Sequence, residues 1–65
     1  DIKKYKIFEV ITDIEDNYYI FAESTDKAKE WVKKKYENQR LEKLLIRYTY
    51  STDNLKKAKE MAEQV

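Results

Sequence analysis

The chain has 65 residues, of which 42% are charged, yet its formal net charge is only +1. A chain this short is one domain, residues 1–65, and hides only about 60% of the surface its unfolded form exposes, so its core is thin. There is no Cys and no His, which removes disulfides, zinc sites, thiol nucleophiles and any base near neutral pH.

No apolar run approaches the roughly 20 residues of a membrane helix, and no basic-then-apolar segment suggests a signal peptide, so a cytoplasmic address without membrane contact is expected. Gly and Pro are also absent. Tight turns normally draw on those two residues, so Asn and Asp are expected to supply the left-handed positions.

Tyr5 to Thr12 reads as a first strand, rich in β-branched and aromatic residues. The polar run Asp13-Ile14-Glu15-Asp16-Asn17 is a hairpin loop, and Tyr18 to Glu23 returns as the second strand. Pairing Thr12 with Tyr18 puts Phe8, Val10, Ile20 and Ala22 on one face and Ile7, Glu9, Ile11, Tyr19 and Phe21 on the other.

Ser24 is the expected N-cap of the first helix, with Asp26 in its positively polarised first turn. Ala28, Trp31, Val32 and Tyr36 form its apolar stripe, Trp31 being the largest core side chain expected, and Asn38 is a natural stop. Leu44 to Tyr50 is the third strand. Its alternation assigns Leu44, Ile46, Tyr48 and Tyr50 to the inner face and Leu45, Arg47 and Thr49 to the outer. Ser51 is then expected to cap a second helix with the stripe Leu55, Ala58, Met61, Ala62 and Val65. Ser-Thr-Asp occurs at both strand-to-helix corners, and Lys-Ala-Lys-Glu in both helices.

The element order ββαβα points to an α+β fold: a three-stranded sheet with two helices on one face. The first strand is apolar on both sides, Ile7 and Ile11 against Phe8 and Val10, which suits a central position and the spatial order 3-1-2. The other face is then open.

For function, a lone carboxylate such as Glu9 is not a mechanism, and no phosphate cradle or calcium loop is present, so a non-enzymatic chain without cofactor or metal is expected. The open face would expose Tyr5, Ile7, Glu9, Ile11, Tyr19, Phe21, Leu45 and Arg47. A patch of that make-up suits a protein partner or self-association as a homodimer. Small accessory or inhibitory proteins of phages and mobile elements offer the analogy for such a binding module. The alternative is nucleic-acid binding through Lys33, Lys34, Lys35, Arg40 and Lys43 with the sheet aromatics. Against it, the lysine stretch and the acidic hairpin loop are expected at the same end of the sheet.

Overall fold

The computed structural model describes residues 4–65. Along the chain come β1 (Tyr5–Thr12), β2 (Tyr18–Ala22), α1 (Thr25–Lys35), β3 (Leu44–Thr52), α2 (Leu55–Met61) and β4 (Glu63–Gln64). They form an α+β fold around one sheet with strand order β3-β1-β2-β4. As expected, β1 is central: it pairs antiparallel with β2 on one side and β3 on the other.

The sheet has four strands, not the expected three. After Met61 the chain leaves the helix at an extended Ala62 (φ −154°, ψ 161°) and runs parallel to β2. The Val65 N–H donates to the Phe21 carbonyl at 3.1 Å. A two-residue strand carries no periodic signal, but it satisfies backbone groups on the β2 edge that would otherwise lack partners.

Nor do the two helices share one face. α1 lays Ala28, Val32 and the C-cap residue Tyr36 on Phe8, Val10, Ile20 and Ala22. α2 lays Ala58 and Ala62 on Ile7 and Phe21, with Tyr5 alongside. Successive strand residues point to opposite faces, so Ile7 and Phe8, each only 1% exposed, belong to two different cores. β4 explains the arrangement. The β2-α1-β3 connection crosses the sheet one way and β3-α2-β4 crosses it the other way, so crossovers of the same hand must use opposite faces.

Two register details place the side chains. The hairpin pairs Val10 with Tyr18 and Phe8 with Ile20, two residues away from the expected Thr12–Tyr18 pairing. A shift of two preserves the faces, so the expected partition of β1 and β2 holds. The loop is correspondingly wide: Thr12 Oγ1 accepts from the Glu15 N–H at 3.1 Å, and none of the described residues has positive φ. Asn and Asp therefore do not act as left-handed turn residues, and α1 ends at Lys35, ahead of Asn38, with Tyr36 as its C-cap.

In β3 the register against β1 slips between Ile7 and Phe8, so Tyr48 faces Phe8 while Tyr50 faces Ile7. Thr49 is the extra residue, and its hydroxyl donates to the Ile7 carbonyl at 3.0 Å. This bulge sends Tyr50 to the α2 face, away from Leu44, Ile46 and Tyr48.

Ser24 caps α1, accepting from the Lys27 N–H at 3.2 Å. At the second corner Ser51 is still in β3, and the cap is Asn54, whose side chain accepts from the Lys57 N–H at 3.3 Å. Both caps therefore sit three residues before the first Lys of Lys-Ala-Lys-Glu. Thr52 is buried at the strand end and accepts from the Asn54 N–H. Trp31 is half-buried at the rim of its core; Phe8 and Phe21 are the largest fully buried side chains. Among the described residues no helix is long and apolar enough to cross a membrane.

Candidate protein-binding surface

The expected open face is half covered. α2 buries Ile7 and Phe21, and Tyr5 stands edge-on to the Phe21 ring with centroids 5.8 Å apart, so these three residues serve a core. The other five remain accessible to some degree. Tyr19, Leu45 and Arg47 are exposed, while Glu9 and Ile11 are half-buried. The ladder aligns Tyr19, Glu9 and Arg47 in one cross-strand row and sets Ile11 against Leu45 in the next.

Beside those rows lies an open apolar depression of about 480 Å³ lined by Ile7, Tyr19, Thr49, Tyr50 and Met61. Sequence reading missed Tyr50, because the bulge turns it over, and Met61, because it was assigned to a buried stripe. Tyr50 is held over α2, its hydroxyl accepting from Lys57 Nζ at 3.2 Å.

The α1 face is also incomplete near β3. A groove of about 460 Å³ runs between α1 and β3, with Val32, Tyr36, Leu41, Leu44 and Ile46 in its lining and Lys29 and Lys33 on its helical side. β3 thus exposes apolar side chains on both faces: Leu44 (39%) and Tyr48 (55%) beside α1, Leu45 (51%) and Tyr50 (40%) on the α2 side. Its outer edge pairs with no strand among the described residues. One signal for this was present in the sequence. Leu44–Thr52 holds a single charge, Arg47, in a chain where 42% of residues are charged.

The basic residues do not come together as one groove. Lys35 turns toward β2, its Nζ lying 4.3 Å from the Tyr18 ring centroid and 5.2 Å from that of Trp31, and donates to the Tyr18 hydroxyl at 3.2 Å. Lys34 approaches Glu30 at 3.9 Å, Lys33 lines the α1–β3 groove, and Arg40 is exposed. The Asp13 carboxylate accepts from the backbone N–H groups of Glu42 and Lys43 at 3.2 and 3.4 Å. Acidic loop and basic connection therefore meet at one end of the sheet, which lowers the local potential available to a polyanion.

Under α1, the Tyr36 hydroxyl lies 2.7 Å from that of Tyr18. Burial holds the Tyr36 phenol well above its ordinary range, and the Tyr18 hydrogen bond and the Glu15 carboxylate push the same way. A phenol kept neutral in this way is a packing element. Among the described residues no group of three or more acidic, His or Cys side chains could hold a metal ion. No protein-family model, curated protein or solved structure matches the chain. What the described residues offer is an exposed, largely apolar strand, β3, with one cation and a depression on each side.

Proposed function

We propose that this chain is a small, non-enzymatic protein-binding module whose contact surface is β3 and the sheet flanking it. One observation supports this above the rest. Of the eight large hydrophobic residues with substantial exposure among the described residues, four (Leu44, Leu45, Tyr48 and Tyr50) stand on β3, the long edge strand, whose outer side pairs with no described strand. Aromatic residues with an isolated Arg, and few other charges, match the make-up of the buried centre of protein interfaces. The surface thus keeps Glu9, Ile11, Tyr19, Leu45 and Arg47 from the face expected to be open and adds Leu44, Tyr48, Tyr50 and Met61.

A photo-crosslinking side chain placed at Tyr48, and separately at Lys34, tests the reading in cells that express the chain. Protein adducts from position 48 that survive nuclease are the expected result. Nuclease-sensitive adducts from position 34, with none from position 48, would replace the reading with nucleic-acid binding.

A further inference from the structure

We infer that the occupant of the β3 edge is a second copy of this chain, paired antiparallel through residues 44–48 about a two-fold axis at Ile46. The inference rests on the protein-binding reading of β3 and names the partner. Strand addition at an open edge draws its affinity from main-chain hydrogen bonds and its register from the side chains that end up opposite one another.

The charge pattern around β3 selects this register. Centred on Ile46, Leu44 faces Tyr48 of the other copy, Ile46 faces itself, and Arg47 faces Leu45, so no charge stands directly opposite its like, and the two Arg47 residues, on a diagonal, each have Glu9 beside them in their own sheet. Centring on Arg47 would set two guanidinium groups opposite each other, and centring on Leu45 would set Lys43 against Arg47. Centring on Tyr48 would place the Thr49 bulge next to the axis, where the edge is irregular. Moving toward Leu44 runs off the start of the strand.

Only the Ile46 register combines a regular backbone with an apolar seam. On the α1 face Leu44, Ile46 and Tyr48 of both copies form one continuous row, and the two α1–β3 grooves open into each other across it. On the α2 face each Arg47 has Glu9 beside it in its own sheet and an apolar leucine opposite. A closed two-fold pair of this kind also removes the one long free edge among the described residues.

Two substitutions at position 45 test the pairing, because Lys and Glu there meet Arg47 of the other copy with opposite sign. In sedimentation across a concentration series, the unmodified chain should dimerise. Leu45→Lys should give a dimer dissociation constant about tenfold or more above that of Leu45→Glu, since two symmetry-related like-charge contacts form in the first and two opposite-charge contacts in the second. Circular dichroism checks that both variants fold.

As an independent readout, Ile46→Cys should form an interchain disulfide on mild oxidation and Lys56→Cys, on α2, should not; the chain has no other Cys. A chain that stays monomeric up to roughly millimolar concentration, the weak end of specific association, overturns the inference. So does a dimer that responds alike to Lys and Glu at position 45 or gives no disulfide at position 46. In either case a nuclease-resistant adduct from position 48 with a different protein would leave the protein-binding reading standing, and the absence of any protein adduct would remove both.

Discussion

β3 and β4 close the same sheet on opposite sides, yet β3 presents nine residues to the outside and β4 two. β4 is Glu63-Gln64, both exposed, and its shortness and charge are ordinary ways to keep an edge from recruiting another strand. β3 uses the bulge at Thr49 to irregularise its second half, but its first half, residues 44–48, is regular, apolar on both faces and bears only Arg47. The molecule therefore blunts the whole of the β4 edge and the second half of β3, and leaves residues 44–48 without such a device. Four large hydrophobic residues left exposed on one open strand of a thin-cored domain are what supports the proposed interface.

The largest expected effect falls on the layer from which both edges hang. Phe8→Ala should cost about 3–5 kcal/mol, enough to unfold most domains this small, whereas Trp31→Ala, at the half-buried rim, should cost only about 2 kcal/mol. Urea denaturation ranks the two, and the reverse order would mean that the core is centred on α1 and not on β1.

On the β2 side, where α1 closes the sheet, stability should depend on Tyr36. Its folded pKa is raised, so both states are protonated below the ordinary phenol value of about 10 and the stabilisation is complete there. As pH rises past that value the unfolded state ionises first, and stability falls progressively towards the folded pKa. Denaturation midpoints measured above about pH 10 should therefore decline in the unmodified chain and less steeply in Tyr36→Phe. Equal slopes would show that alkaline loss comes from elsewhere.

Opening the closed edge should have a smaller effect. Val65→Pro removes the N–H that binds the Phe21 carbonyl, for a loss of about 1–2 kcal/mol, and should introduce self-association through β2 that the parent lacks. Sedimentation of this variant beside Leu45→Lys separates the two edges. Smallest are the changes around the end of β3: loss of the cap in Asn54→Ala should cost about 1 kcal/mol, and Ser51→Ala should stay within about 0.5 kcal/mol because Ser51 belongs to the strand.

Much of the sheet was legible in the sequence. Apolar residues on both faces of β1 gave away its central position, and the Phe8–Val10–Ile20–Ala22 set survived a two-residue register shift because side chains repeat every second residue. β4 was not legible, since two polar residues carry no pattern, and without it the second crossover had no direction. The same double-faced β1 that marked the centre also needed cover on both sides, which is why Ile7 and Phe21 went to α2 and left the expected binding face. A bulge leaves no trace in an alternating pattern, so Tyr50 was assigned to the wrong face. The exposed half of the site was readable in part through Tyr19, Leu45 and Arg47, and more directly through the near-absence of charge in Leu44–Thr52.

Amide hydrogen exchange at low and high protein concentration distinguishes a partner-seeking β3 edge from a closed β4 edge. Outward-facing amides within residues 44–48 should exchange quickly when dilute and gain protection as concentration rises, while amides of β2 and β4 keep the same protection throughout. Unchanging exchange in β3 across the whole series, or protection that rises along β2 and β4 instead, would contradict that assignment of the edges.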